Sequence, residues 1–464
     1  MSTARKVVVG VALLAAVYGG ASWYMGTKAE PEIRQQVAEF NATVATHYAV
    51  NLDEEAVQLK IVNYKRHWFS SDISYELLID DGQEQYQLLL EDNLKHGPLP
   101  VAALMKGRIS PLLAYSELQL LPSQNVQPWF EATHGAAPIT AHSFIDFNGS
   151  SNSQIDLAAV NYQNEFGDEI HMEPATIKVD YKAPTDHVYI DAALPSFVLI
   201  DGEDGTHITL KETYFEGSVT DSEQGQSSEA VLRVEQLRVS VAETAEVLID
   251  KLSAKSAYSL QGSLLDSAIY YNLASVQVDG HAVGQMELNL DAKRIDYEVI
   301  ALLSQPELID ELSEAELQPY LTRFFSHKPE LKIEPLSWKN TAGESHIIAD
   351  VKMASTAADI YQQNEVDPAH FFDALDLKVS LSRLMIQGLF SEDSFSSNLV
   401  DMLFTRFAQQ GQEAGILAYD GQDAKLTLRF DAASNTLILN GKPTDPNDLF
   451  YSWLALQMGG GLLH

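Results

Sequence analysis

The sequence predicts a mainly β protein, a β-rich α+β fold whose core is an extended, largely antiparallel meander sheet with a few helices. Three observations support this fold class. Apolar residues recur with a period of two over residues 56–290, the spacing of strands that bury one face. Pairs such as Asp81-Gly82 interrupt these segments and favour tight hairpins. An uncharged run from Val7 to Thr27 precedes them and predicts an N-terminal transmembrane helix.

The uncharged run is long enough to cross a hydrocarbon core of about 30 Å as a helix, at about 1.5 Å per residue. Arg5 and Lys6 lie directly before it, and this charge favours a cytoplasmic N-terminus with the rest of the chain exported. A cleavable signal peptide is the alternative, because Gly19 and Ala21 would supply the small residues of a cleavage site. The run exceeds a usual signal core, so we expect an uncleaved anchor.

Composition limits the classes of partner. Among 464 residues, 30 are Lys or Arg and 65 are Asp or Glu, which gives a formal net charge of −35. Such a charge repels phosphate backbones and anionic lipid headgroups, so we expect no nucleic-acid partner. The chain has no cysteine, which excludes disulfides and an acylated lipoprotein anchor.

Changes in pattern divide the chain into four expected parts. Residues 1–27 form a cytoplasmic tip and transmembrane anchor, and residues 28–50 form a helical linker. Residues 51–300 form a β-rich exported domain, with roughly twelve to fourteen strands over residues 56–290. Residues 301–464 form a mixed α/β C-terminal region.

The helices are predicted from apolar spacing of three and four residues and from their end signals. Beyond the linker, we expect helices at residues 101–106, at 305–326 with a break near Gln318, at 395–410 with a stop at Gly411, and from Asp445-Pro446 onward. In the C-terminal region, alternating segments predict strands within residues 332–353, 375–381, 425–430 and 436–439.

Three short segments carry the most distinctive residues. They are Asn63-Tyr64-Lys65-Arg66-His67-Trp68-Phe69-Ser70-Ser71, His96-Gly97-Pro98-Leu99-Pro100, and Pro335-Leu336-Ser337-Trp338-Lys339-Asn340 with Gly343-Glu344-Ser345. Together with the anchor and the C-terminal hairpin and helix, they make the chain resemble the YdgA-like family of bacterial envelope proteins, a family of unknown function. The resemblance implies a single-pass protein of the bacterial inner membrane with the bulk of its chain in the periplasm.

The resemblance implies no activity, because the family has no agreed catalytic residues. The family-motif residues of unknown role are therefore Tyr64, Arg66, Phe69, Ser70, Ser71, His96, Gly97, Pro98, Pro335, Ser337, Trp338 and Glu344. We interpret them as structural: Trp68 and Phe69 as bulky strand residues, Ser70 and Ser71 on alternate strand faces, and His96-Gly97-Pro98 at a strand-to-loop corner.

Motifs that identify common chemistries are absent. The sequence contains no Gly-x-Ser-x-Gly elbow, no His-Glu-x-x-His pair, no phosphate-binding loop and no dinucleotide fingerprint. Asp201, Glu203 and Asp204 suggest a calcium loop, but Gly205 stands where a ligand is required. We expect no catalytic residue, metal or cofactor.

Three functions remain as hypotheses. The first is a non-enzymatic envelope interaction or assembly factor with a protein partner. The alternative is a binder or conduit for lipid or other apolar ligands along a groove of a curved β-sheet. A hydrolase is the third, and it would require convergent acids or a Ser–His pair in one pocket. The best candidates for it are Ser70, His96 and Glu344.

Overall fold

The structure is a computed structural model, and it describes residues 22–42 except 23, 32, 36 and 39, and then residues 57–80, 85–222, 225–241, 245–303, 314–356, 368–389, 394–447 and 449. The chain divides into two compact units, Met1–Thr220 and Asp221–His464. Each is built mainly from antiparallel strands, so the predicted fold class is confirmed in its β-rich, antiparallel part. The four-part division remains a prediction.

The first unit contains strands of very different length. They are β1 Val57–Arg66, β2 Ser70–Asp80, β3 Gln85–His96, β4 Ala114–Leu120, β5 Ile139–Ile145, β6 Ser151–Leu157, β7 Val160–Gln163, β8 Glu169–Met172, β9 Ala175–Lys182, β10 His187–Ile200 and β11 His207–Ser222. Strands β1 to β6 pair in sequence order, and β9 and then β10 and β11 continue the sheet beyond β6. The β7–β8 hairpin extends the sheet beside the second half of β10.

The second unit begins with four long strands. Its strands are β12 Gly225–Val241, β13 Ala245–Gln261, β14 Leu264–Val278, β15 His281–Asp296, β16 Glu330–Asn340, β17 Gly343–Met353, β18 Phe372–Ser382, β19 Ala418–Tyr419, β20 Asp423–Asp431, β21 Thr436–Leu439 and β22 Lys442–Thr444. Strands β12 to β18 pair in sequence order, and β20 and β21 follow β18. The predicted hairpins of the C-terminal region are confirmed.

The described helices are few and lie mainly outside the strand-rich segments. They are α1 within residues 22–42, α2 Val101–Met105, α3 Gln127–Ala132, α4 Tyr297–Leu303, α5 Glu314–Ser326, α6 Pro368–Phe371, α7 Arg383–Gly388 and α8 Ser394–Glu413. The predicted helix start at Asp445 is confirmed by a cap, because the Asn447 backbone N–H donates to Asp445 Oδ1 over 2.8 Å.

Helix α1 packs lengthwise on the first unit's sheet. Ala29 joins a buried cluster with Ile73 and Leu94, and Ile33 and Val37 pack against the same cluster. This spacing of four residues is one apolar helix face. The amphipathic linker predicted from the sequence therefore folds back on the sheet over its described length.

Farther along α1, Asn41 completes the edge of β1. Its Nδ2 donates to the Leu59 carbonyl over 2.9 Å, and its Oδ1 accepts from the Leu59 N–H over 2.8 Å. The side chain thus satisfies the two backbone groups that a neighbouring strand would otherwise satisfy.

Two helix predictions were wrong. Pro319 lies inside α5 and no break occurs near Gln318, because proline removes a single intrahelical hydrogen bond while the apolar face continues through it. Helix α8 continues through Gly411 to Glu413. Gly411 instead allows close packing, since a Cβ there would lie 2.4 Å from Leu417 Cδ1.

The predicted anchor lies mostly outside the described residues, which begin at residue 22. Within the described part of the chain, no helix combines the length and the hydropathy needed to cross a membrane. The final helix beyond residue 449 also lies outside the described residues.

Candidate functional site

The motif residues of the first unit meet on the sheet face that α1 covers. Tyr64 is paired with Ile73 and Ser71 with Leu94 across adjacent strands, so all four side chains share one face. His96 follows Leu94 by two residues and points to the same side. Ser71 is fully buried and His96 is 1% exposed.

Ser71 and His96 form a buried hydrogen bond. Their Oγ and Nε2 atoms are 2.8 Å apart. In the described part of the chain, His96 Nδ1 and the Tyr64 hydroxyl have no hydrogen-bond partner. Burial raises the pKa of Tyr64 and, with a smaller effect of Arg66, lowers the pKa of His96 to about 4. The imidazole is therefore neutral at physiological pH.

Gly26 of α1 contacts the His96 ring directly. A Cβ added to Gly26 would lie 2.5 Å from His96 Nδ1 and 2.6 Å from Cε1, distances that real Cβ atoms do not occupy. The glycine therefore allows the helix backbone to rest on the imidazole, which Ser71 holds from the other side. The motif residues form a seat for α1, hereafter the helix seat, consisting of Tyr64, Ser71 and His96.

A carboxylate interrupts the apolar face beside the helix seat. Asp92 is 4% exposed and accepts a hydrogen bond from Ser116 Oγ over 2.7 Å. Burial raises the pKa of Asp92 to about 6, in spite of this hydrogen bond. The sequence carried a signal for it, because Asp92 stands between Leu90 and Leu94 in an alternating strand at a position that should be apolar.

The low pKa of His96 predicts a pH-dependent contribution to stability. In the unfolded chain the imidazole takes up a proton below about pH 6.5, whereas in the folded protein it stays neutral down to about pH 4. Stability is therefore lost as the pH falls through this window. We expect the stability advantage of the wild type over His96→Gln to shrink by about 2 kcal/mol between pH 7.5 and pH 5, measured by denaturant unfolding.

The comparison with His96→Gln cancels the opposite effect of Asp92, whose raised pKa favours the folded state at low pH. If the stability difference between the wild type and His96→Gln stayed constant from pH 7.5 to pH 5, the assignment of a buried neutral imidazole would be contradicted.

A hydrogen-bonded serine and histidine also occur in nucleophilic hydrolases, where a third group orients the imidazole and a cleft admits substrate. Here both side chains are buried, and Nδ1 has no partner within the described residues. Ser70 precedes Ser71 and points to the opposite face. Glu344 belongs to the other compact unit. The buried Ser71–His96 pair is placed to support α1.

Trp68 and Phe69 differ from their predicted placement in a strand. They lie in the turn between β1 and β2, closed by a hydrogen bond from the His67 N–H to the Ser70 carbonyl. Their side chains are 65% and 52% exposed. The strand pattern ends at Arg66 because the chain reverses there. The predicted corner at His96 is confirmed, since β3 ends at that residue and Gly97 has a φ of 117°.

The third motif lies in β16 and β17 and makes hydrogen bonds to neighbouring elements. Trp338 Nε1 donates to the Val283 carbonyl over 2.9 Å. Asn340 Oδ1 accepts from the Gly343 N–H, and its Nδ2 donates to the Met385 carbonyl over 2.9 Å. These bonds fasten the hairpin to β15 and α7. Pro335 lies at a register shift of β16, Ser337 on the polar sheet face, and Glu344 is an exposed partner of Lys339.

The opposite face of the first sheet has a polar cleft of about 470 Å³. Its lining includes Glu91, Glu117, His142 and Asp156. No group of histidine and acidic side chains in the described part of the chain is arranged to hold a metal ion. Asp201, from the weak calcium pattern, instead accepts the backbone N–H of Glu203 over 2.8 Å within its own turn.

Comparison with known proteins assigns the family. Residues 4–447 match the family model described as "Bacterial protein of unknown function (DUF945)". The chain belongs to this family. The resemblance drawn from the three motifs is thereby confirmed.

Relatives extend over nearly the whole chain. Protein YdgA of Escherichia coli (strain K12) is 25% identical over 95% of both chains. Uncharacterized protein YihF of the same organism is 22% identical over 94% of this chain and 96% of its own. An uncharacterized protein of Haemophilus influenzae (strain ATCC 51907 / DSM 11121 / KW20 / Rd) is 24% identical over 63% of this chain and 82% of its own. No solved structure matches.

Proposed function

We propose that this family member is a non-enzymatic protein of the bacterial cell envelope that holds the acyl chains of a lipid on the apolar face of its second unit. In this proposal, the uncharged run that begins at Val7 and precedes the residues packed on the helix seat anchors it in the inner membrane. The bulk of the chain lies in the periplasm. The observation that supports the proposal is a row of apolar side chains across β12–β18 and β20, next to a row of polar side chains on the opposite face of the same sheet.

The strand register aligns mostly aliphatic side chains, with Tyr271 among them, across eight strands. One row on the apolar face contains Leu232, Ala254, Tyr271, Leu288, Leu336, Ile347, Val379 and Leu426. The adjacent row, on the opposite face, contains Arg233, Ser253, Asn272, Glu287, Ser337, His346, Ser380 and Lys425. A sheet with one aliphatic face must bury that face against something.

Described helices cover one end of this apolar face. Phe404 and Ala408 of α8 pack on Ala424 and Leu426 of β20. Among the described helices, none packs extensively on β12, β13 or β14. There, Tyr271 is 44% exposed. The apolar face therefore continues beyond its helical cover.

An acyl chain fits the chemistry of this surface. The row that contains Leu232 and Leu288 offers almost no hydrogen-bonding side chain to a polar ligand. Strands of the length of β12 and β13 extend for about 50 Å at roughly 3.3 Å per residue, longer than an extended lipid tail. A net charge of −35 argues against nucleic acid.

Adjacent residues of β14 provide a matched test. Tyr271 lies on the apolar face, and Tyr270 lies on the polar face, where Lys255 Nζ is 5.5 Å from its ring centroid. We expect a photo-crosslinking amino acid at position 271 of the full chain to capture phospholipid in a bacterial host. Mass spectrometry of the purified protein should give several-fold more lipid adduct at 271 than at 270.

The crosslinking result also separates the two non-enzymatic hypotheses. Protein adducts at position 271, without lipid adducts, would favour the interaction or assembly factor and contradict lipid binding. Equal lipid capture at 270 and 271 would show contact without selection by the apolar face and would also contradict the proposal.

A further inference from the structure

Exposed apolar side chains of the first unit are concentrated at one end of its sheet. They include Trp68, Phe69, Val101, Met105, Ile109 and Phe147. Met105 is 84% exposed and Ile109 is 81% exposed. Single exposed apolar residues are ordinary, but a concentration of them at one end of a sheet is typical of an interaction surface.

Strand connectivity places these side chains at a common end. Trp68 and Phe69 lie between β1 and β2, the segment with Met105 and Ile109 connects β3 to β4, and Phe147 lies between β5 and β6. In an antiparallel meander, alternate connections lie at the same end of the strands, so these three connections share one end of the sheet. The His96 N–H donates to the Phe69 carbonyl over 2.8 Å, which joins the first two groups. We call this surface the apolar end.

The opposite end of the same sheet differs. Among the described residues at that end, the most exposed apolar side chain is Phe166, which is 75% exposed. It lies alone in the turn between β7 and β8. The asymmetry between the ends is therefore a property of the fold and not of general surface composition.

Helix α1 enters at the apolar end. Gly26 rests on His96, the last residue of β3, whereas Asn41 reaches Leu59, which lies toward the other end of β1. The described part of α1 thus runs from the apolar end toward the opposite end of the sheet. Residues up to Thr27 belong to the uncharged run, and Gly26 among them lies on the helix seat.

Charge at the apolar end is also unusual for this protein. Residues 97–113 contain Lys106 and Arg108 but no acidic residue, in a chain with 65 acids and 30 Lys and Arg. Arg108 pairs with Asp146 over 3.1 Å and lies over the Phe144 ring. Apolar and aromatic side chains interleaved with cations are typical of surfaces that meet anionic lipid headgroups.

From these observations we infer that the apolar end of the first unit rests in the periplasmic headgroup layer of the membrane, with Met105, Ile109 and Trp68 inserted among the lipids. The inference uses the anchor of the proposed function but not its acyl-chain binding. The partner is a bilayer that contains anionic phospholipid. The anchor and the apolar end then contact the membrane together, which fixes the orientation of the first unit.

The absence of cysteine allows a clean test. Single variants Met105→Cys and Ile109→Cys of the full chain are labelled with an environment-sensitive fluorophore, and the protein is placed in nanodiscs of phosphatidylethanolamine and phosphatidylglycerol. Phe166→Cys is the matched control, since it is equally exposed at the other end. We expect spin-labelled lipids to quench positions 105 and 109 several-fold more than position 166.

Equal quenching at 105, 109 and 166 would overturn the inference. All three mutated side chains are exposed, so the variants test contact and not folding. The charge contribution is tested separately: Lys106→Glu should reduce quenching at position 109 in anionic nanodiscs, and an unchanged signal would overturn the role of anionic lipid.

A label at Leu14→Cys separates this inference from the proposed function. Quenching at 14 without quenching at 105 would support the anchor and overturn the membrane contact of the apolar end. Quenching at 105 without lipid capture at position 271 would support the membrane contact and contradict acyl-chain binding.

Discussion

Replacement of Asp296 by alanine is expected to lower the free energy of unfolding of the second unit by about 3 kcal/mol. Asp296 has no solvent exposure. Its Oδ1 accepts from the Val299 N–H over 3.2 Å, which caps α4, and from Arg323 Nη2 over 2.6 Å. Alanine removes the cap and leaves the partly buried guanidinium without its buried carboxylate partner. Denaturant unfolding measures the effect.

Two matched variants divide this effect into its parts. Asp296→Asn keeps an oxygen for the helix cap but removes the charge, so we expect a loss of about 1–2 kcal/mol. Glu298 also pairs with Arg323 but is 64% exposed, and Glu298→Ala should cost less than about 0.5 kcal/mol. If Asp296→Ala cost no more than Glu298→Ala, the central role of Asp296 would be refuted.

The pKa of Asp296 predicts how this contribution varies with pH. Burial raises the pKa of the carboxyl, but the hydrogen bonds from Arg323 and from backbone N–H groups of α4 lower it further, so the net shift is downward. A lowered pKa stabilises the folded state above the pKa of the unfolded chain. The difference between the wild type and Asp296→Asn should therefore diminish as the pH falls below about 4.

The second large effect is expected at the helix seat. Leucine at position 26 would place its side chain inside the space of the His96 ring, and overpacking of this kind costs about 3 kcal/mol. Leucine is the better helix former by about 0.8 kcal/mol, which offsets the cost only in part. We expect Gly26→Leu to release α1 from the sheet, measured as faster amide hydrogen exchange over residues 24–38.

A double-mutant cycle attributes this effect to the contact with His96. His96→Ala opens space beneath position 26, so the combination with Gly26→Leu should be less damaging than the sum of the two single changes, with a coupling of about 1–3 kcal/mol. Additive effects would mean that Gly26 acts elsewhere. Tyr24→Leu, at a 58% exposed position of the same helix, should leave exchange unchanged.

The local pattern of apolar residues and of helix and turn signals predicted much of the fold. Alternation predicted strands such as β18, where Leu375, Leu377 and Val379 share a face, and Asp445 gave a correct helix start. The errors came from residues whose role depends on tertiary contacts. Gly411 resembles a helix stop by itself, yet it lies inside α8 because Leu417 packs against it. The 56–290 region was expected to hold fewer strands than β1–β15, because several turns there lack glycine signals.

The candidate site was predicted only in part. The motifs identified Ser71 and His96, but the sequence did not reveal that they face α1, because the pairing of β2 with β3 brings them together. Gly26 lies in the uncharged run and had no distinguishing signal. Trp68 and Phe69 were wrongly placed in a strand, because the chain turns at these residues. Alternation in the sequence predicts that the second unit's sheet has an apolar and a polar face. That the apolar side chains form one continuous row across eight strands is visible only from the strand register.

The two hydrogen bonds between Asn41 and Leu59 give α1 a second structural role. Strand β1 has β2 on one side, and Asn41 occupies backbone groups of Leu59 on the other. An unprotected strand edge is a template for intermolecular pairing. Any condition that detaches α1 therefore also uncovers a place where a second molecule can add its own strand, so loosening of the helix would first become visible as self-association.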